Sequence, residues 1–123
     1  MRNCPKCISF NLNEERIEDM IIDRCPECHG IWLDALELEK LVEMHPRQLL
    51  AQDRHFQPAQ DPGPRLTCPE CKGSQLIKLN SRARPGTILD SCTVCFGCWL
   101  DAGELAKIAD GGFRGWLRGV LHR

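Results

Sequence analysis

The 123-residue sequence contains no run approaching the roughly 20 apolar residues that a membrane span requires. Its N-terminus, MRNCPKC, lacks the apolar stretch of a signal peptide, so the chain is expected to stay in the reducing cytosol, a cytoplasmic location. Net charge is nearly absent, at −1. No pairing of a nucleophile with a base and no glycine-rich phosphate loop stands out, so the chain is expected not to be an enzyme. Length is also short supply: 123 residues leave room for one ordinary domain or two very small ones. A module of about 45 residues cannot bury a core large enough to hold itself together unaided.

Cysteine is abundant. Of nine cysteines, eight form four Cys-x-x-Cys pairs: Cys4/Cys7, Cys25/Cys28, Cys68/Cys71 and Cys92/Cys95, with Cys98 left over. In a reducing compartment such pairs bind metal or do redox work more often than they form structural disulfides. Seventeen residues separate the first two pairs and twenty separate the last two, a spacing that suits a closed tetrahedral site. Zinc accepts four thiolates without a preferred d-electron geometry, and a shell of four cysteines leaves no position for substrate. Two zinc ions per chain are therefore expected, one on each set of four. Metal binding supplies on the order of 10 to 16 kcal/mol in comparable small sites, which makes the ion part of the fold.

The pairs belong to an internal duplication. CPECHGIWLDALELEKL in the first half aligns without a gap on CTVCFGCWLDAGELAKI in the second, each preceded by CPKC or CPEC. Between the cysteine pairs, Ile17 to Asp23 and the segments around Leu76–Leu79 and Thr87–Leu89 read as short hairpins, the second turning at Arg84-Pro85-Gly86. After each Trp-Leu, Asp34 and Asp101 stand at N-cap positions with Glu37 and Glu104 three residues on as capping-box partners. Leu38, Leu41 and Val42, and likewise Leu105, Ile108 and Ala109, continue at helical spacing. The expected fold is a small metal-stabilised α+β arrangement of two tandem zinc ribbons, each a short β-hairpin followed by a capped helix. Ribbon 1 covers residues 1–46 and ribbon 2 covers 67–110. The proline-rich and glutamine-rich stretch 47–66 reads as a linker, with packing of Leu49, Leu50 and Phe56 on the first ribbon as the alternative.

At these motifs the chain resembles the transcription-factor-IIB-like zinc ribbon family in two tandem copies. The resemblance implies zinc on Cys4, Cys7, Cys25 and Cys28, and again on Cys68, Cys71, Cys92 and Cys95. Two departures stand out: His29 and Phe96 replace the glycine usual after the fourth cysteine, and Cys98 stands where isoleucine is usual before tryptophan. Cys98 falls in the register of Ile31, which makes it a small buried hydrophobe; the alternative is a thiol that competes for metal or senses oxidants. Trp32 and Trp99 are expected to pack on the helices and shield the metal.

Charge is unevenly spread: residues 1–46 carry −5, whereas the last thirteen residues carry three arginines and no acid. The tail 111–123 places Phe113, Trp116, Leu117, Val120 and Leu121 on one helical face flanked by Arg114 and Arg118. It suits a partner's groove, a peripheral membrane surface, or its own domain. The expected function is a non-catalytic zinc-binding adaptor, transcription-related by family resemblance, meeting a protein partner through the second ribbon or the tail. Nucleic-acid binding is the alternative, disfavoured by the acidic first ribbon and limited to Arg82, Arg84 and the tail. Thiol redox chemistry or metal handling is the third.

Overall fold

The computed structural model describes residues 2–44, 46–57, 65–80 and 88–110. In the first repeat, β1 (Asn13–Ile17) and β2 (Met20–Arg24) form a hairpin. Glu18 and Asp19 join them, both with positive φ (49° and 67°), the backbone that matches a two-residue hairpin to the strand twist. β3 (Ile31–Leu33) follows the second cysteine pair and leads into α1 (Ala35–Met44), which is followed by α2 (Arg47–Asp53). The second repeat gives β4 (Ile77–Asn80), β5 (Ile88–Ser91), β6 (Cys98–Leu100) and α3 (Glu104–Asp110). Its turn at Arg84-Pro85-Gly86, Arg82 and the whole tail 111–123 lie outside the described residues.

The two ribbons are one sheet. β3 of the first repeat pairs antiparallel with β6 of the second, so the strand order is β1-β2-β3-β6-β5-β4. Trp32 stands opposite Trp99 at the centre of this pairing, flanked by Ile31 opposite Leu100 and Leu33 opposite Cys98. A lone ribbon would leave β3 as an open edge with unpaired backbone groups; joining β3 to β6 removes both edges at once.

Alternation along the two central strands sorts the core into two layers. Ile31, Leu33, Cys98 and Leu100 point to the helix side, where they pack with Leu41 of α1, Leu49 of α2 and Leu105 of α3. Trp32 and Trp99 point the other way, into a cluster with Leu12, Leu66, Leu76 and the ligand cysteines. The tryptophans therefore shield the metal sites but do not pack on the helices as the sequence suggested. Their neighbours, one residue to either side, take that role because a strand turns successive side chains to opposite faces.

Each tryptophan serves the other repeat. A Cβ on Gly30 would lie 2.3 Å from Trp99 Cζ2, and one on Gly97 would lie 2.4 Å from Trp32 Cζ2. Both distances are far inside van der Waals contact, so only glycine fits beneath the opposing indole. The Gly-x-Trp common to both repeats is thus a reciprocal lock across the pseudo-two-fold between β3 and β6.

The segment 47–66 also differs from a plain linker. Its first seven residues form α2, whose Leu49 (0 % exposed) and Leu50 enter the helix-side core, and α2 packs against α3 of the second repeat. Prolines dominate only its later part, and residues 58–64 lie outside the described residues.

Candidate metal centres

Each Cys-x-x-Cys pair sits on a tight knuckle. In the first repeat the Cys7 N–H points at Cys4 Sγ (3.2 Å), and the N–H groups of Glu27 and Cys28 point at Cys25 Sγ (3.4 and 3.5 Å). The second repeat repeats the pattern: Cys71 N–H to Cys68 Sγ (3.3 Å), Val94 N–H and Cys95 N–H to Cys92 Sγ (3.4 and 3.5 Å). Such donors favour the thiolate form that a metal needs. The residue after each pair turns the chain back with a left-handed backbone: Ile8, His29, Lys72 and Phe96 have φ of 48°, 64°, 59° and 62°. Glycine enters that region freely, so the two replacements noted in the sequence occupy positions where a side chain is strained.

The knuckles converge in pairs. Sγ atoms of Cys4, Cys7, Cys25 and Cys28 all lie within 4.8 Å of one another, as do those of Cys68, Cys71, Cys92 and Cys95. Cys4 and Cys28 are 3.8 Å apart, Cys68 and Cys95 3.7 Å, Cys71 and Cys92 3.8 Å. A regular tetrahedron with Zn–S bonds of about 2.3 Å has edges of about 3.8 Å, so both clusters fit a zinc ion. The first cysteine of every pair is fully buried and the second half-buried. With four thiolates the shell is closed, and the ion holds structure without offering a coordination site to substrate.

Without metal, protons are shared unequally within each set. The hydrogen bond with Cys4 holds Cys28 down to about 5, while the same pairing drives Cys4 far above its ordinary value. At Cys92 burial opposes ionisation, but the N–H groups of Cys95 and Val94 together with hydrogen bonds to the Cys95 and Cys68 sulfurs hold the thiol at about 7. Burial raises Cys68 and Cys95. Loading the ion releases the protons that the thiols still hold.

Cys98 lies on the helix side of β6, opposite the eight ligands, at 0 % exposure, with its Sγ donating towards Ser91 Oγ at 3.5 Å. The sheet separates it from the ligand cysteines, and its role is that of Ile31 in the first repeat. His29 stacks on Phe56, ring centroids 4.9 Å apart, and belongs to neither sulfur cluster.

The helix caps divide. Asp34 and Glu37 form the expected box: Glu37 N–H donates to Asp34 Oδ1 (2.8 Å) and Asp34 N–H to Glu37 Oε2 (3.0 Å). Burial pushes Glu37 up to about 7. In the second repeat the Asp101 side chain is drawn away, accepting from Trp99 Nε1 at 3.2 Å and pairing with Lys6 at 3.4 Å. Asp53, at the end of α2, caps α3 instead. Its Oδ1 accepts from Gly103 N–H (2.8 Å) and its Oδ2 from Ala106 N–H (2.7 Å). Asp53 is 0 % exposed, and burial raises its pKa against the pull of those two donors. Sequence reasoning missed this residue. The one available signal was Gly103, which replaces Leu36, has φ 89° and delays the start of α3 to Glu104.

Among the described residues no helix is long and apolar enough to cross a membrane. No curated protein and no solved structure shows a significant match to the chain. The family profile described as transcription factor zinc-finger matches residues 3–44 and again 67–111, each match containing one four-cysteine centre. With most of its length covered by these two matches, the chain belongs to the transcription factor zinc-finger family, as two tandem zinc ribbons.

Proposed function

We propose that this protein is a non-catalytic interaction module in which two zinc ions hold a rigid platform for a protein partner. The observation that carries this reading is the character of the knuckle tips. Ile8 (72 % exposed) and Phe10 (41 %) project from the first knuckle, Val94 (63 %) and Phe96 (46 %) from the fourth. Large apolar side chains held outward on strained, metal-fixed turns match a protein surface, where aromatic and aliphatic anchors contribute most of the binding. A phosphate backbone asks for clustered lysine and arginine at those places. With both ligand shells complete, the zinc acts on partners only through the shape it imposes.

The test uses in-cell crosslinking of the full chain carrying Ile8→Ser or Phe96→Ser, with native mass spectrometry for zinc content. Ile8→Ser and Phe96→Ser are expected to keep two zinc ions per chain and lose a crosslinked protein that the wild type retains. Recovery of nucleic acid as the main crosslinked species, with salt-dependent affinity that neither substitution alters, rejects the proposal in favour of the nucleic-acid reading.

A further inference from the structure

Two short lengths of backbone are left unpaired beside the metal sites. Just ahead of the first knuckle of each repeat, one residue bridges to the chain returning from that knuckle: Asn3 to Asn11, and Thr67 to Gln75. In both bridges the hydrogen bonds are made by the neighbours. Cys4 N–H donates to the Phe10 carbonyl and Leu12 N–H to that of Arg2 (both 2.8 Å); Cys68 N–H donates to the Ser74 carbonyl (2.8 Å) and Leu76 N–H to that of Leu66 (2.7 Å). This is the non-hydrogen-bonded pair of an antiparallel ladder, in which the bridged residue turns its own N–H and C=O away from its partner. Among the described residues no backbone group takes up those of Asn3 and Thr67, and both residues are exposed.

The two free edges face one groove. Asn3 and Thr67 both line a cavity of about 360 Å3 between the two knuckles, whereas Asn11 and Gln75 do not. Equivalent residues form its walls, Cys4 and Pro5 on one side and Cys68 and Pro69 on the other, so each wall is fixed by a metal ligand. Among the described residues no bridge joins Asn3 to Thr67, and each edge is open to a further strand. One pair breaks the symmetry: Ile8, 72 % exposed, stands where the second repeat has Lys72. Lys72 also borders the depression holding Glu14, Asp23 and Glu70, but Arg2 pairs with the last two and Lys72 has no ion-pair partner among the described residues. Lys6 is held by Asp101, and exposed Arg65, two residues before Thr67, is a further cation. One side of the groove is thus apolar and the other cationic.

We infer that this groove receives an extended segment of a partner protein. The segment's backbone takes up the free groups of Asn3 and Thr67, and it sets an apolar side chain against Ile8 and an acidic one against Lys72. Unpaired backbone on both walls suits a strand, whereas a helix spends its N–H and C=O groups internally. The inference rests on the protein-partner reading above and names what that partner presents.

Selection of random dodecapeptides on the zinc-loaded full chain tests it. Selected peptides are expected to alternate β-branched and polar residues, to carry an acid towards one end, and to shift the Asn3 and Thr67 amide signals in NMR spectra. Methylating the central backbone nitrogens of such a peptide leaves the protein intact and should weaken binding about tenfold or more, the loss expected for a hydrogen bond or two. Lys72→Glu, at an exposed position, should keep two zinc ions and turn the selection from acidic to basic peptides. Binding that survives methylation overturns the inference. Peptides that move only the signals around Phe10 and Phe96 overturn it while the protein-partner reading stands. Failure to select any peptide also rejects the strand, and it rejects the partner reading only if Ile8→Ser leaves the crosslink intact. Shifts at Asn3 and Thr67 that grow with protein concentration alone put a second copy in the groove and overturn it too.

Discussion

The two halves share one sequence motif yet solve the same local problem in different ways. In the first half the helix is capped by its own Asp34 and Glu37, within four residues. In the second, Trp99 and Lys6 draw Asp101 away, and the cap is supplied by Asp53 from fifty residues upstream. Cross-repeat contacts also differ in sign. Lys6 of the first knuckle pairs with Asp101, but the matching knuckle position in the second repeat is Glu70, which faces the carboxylates of the first half and is bridged to Asp23 by Arg2. Duplication therefore preserved what each module needs to bind zinc, while the contacts between modules became specialised. A local motif survives copying unchanged, but two copies in contact cannot both keep the same partner-facing charges.

The strongest way to break the comparison is to remove one metal and ask whether the other half survives. Cys28→Ser and Cys95→Ser each take one ligand from a site worth on the order of 10 kcal/mol to the fold. Because β3 and β6 share their hydrogen bonds and both metals border one tryptophan cluster, either substitution is expected to lower zinc content below two and unfold both halves together. Native mass spectrometry with circular dichroism checks this; one zinc retained with half of the secondary structure intact would show independent ribbons.

Next come the paired glycines. Gly30→Ala and Gly97→Ala drive a methyl group into the opposing indole, and overpacking of this kind costs about 1–3 kcal/mol or more. Urea unfolding of the zinc-loaded protein should show similar losses for the two, and a marked inequality would mean that the Trp–Gly exchange is not reciprocal.

The caps should separate the halves. Asp53→Ala leaves two N–H groups of α3 without their buried acceptor and is expected to cost about 2 kcal/mol, against about 1 kcal/mol for Asp34→Ala at its more exposed site. Hydrogen exchange should localise the first loss to α3 and the second to α1.

The smallest effect is a pH dependence at the cap of α1. Glu37 has its folded pKa raised to about 7 from 4.5, so folding favours its protonated form. The cost of ionising it is absent below about pH 4.5 and fully present above about pH 7. Glu37→Gln keeps an acceptor for the Asp34 N–H without that charge. Its stability relative to wild type should therefore rise with pH across this window, measured by urea unfolding at saturating zinc.

Much of this molecule was legible in its residues because the deciding interactions are local. A Cys-x-x-Cys knuckle spans four residues, and its spacing is enough to predict a sulfur cluster; the box at Asp34 and Glu37 spans four residues as well. The strands of the second hairpin fall close to Leu76–Leu79 and Thr87–Leu89, but in the first the apolar segment Ile17–Asp23 marks only the turn and β2, because β1 (Asn13–Ile17) is mostly charged and polar. The face taken by Trp32 and Trp99 was misjudged because only the pairing of β3 with β6 shows which side of each strand meets the helices. Asp53 was invisible for a related reason: a lone acid in a polar segment carries no sign of a helix start fifty residues ahead.

The sequence by itself determined two four-cysteine sites, the ribbon that surrounds each, and the repeat that relates them, since each depends on residues close along the chain. Only the tertiary structure decided that the ribbons fuse into one six-stranded sheet, that each tryptophan lies over the other repeat's glycine, and that α2 caps α3. Those features join segments about 50 to 69 residues apart, and they exist because two short, open strand edges and two half-covered apolar faces leave water most completely when each repeat closes the other.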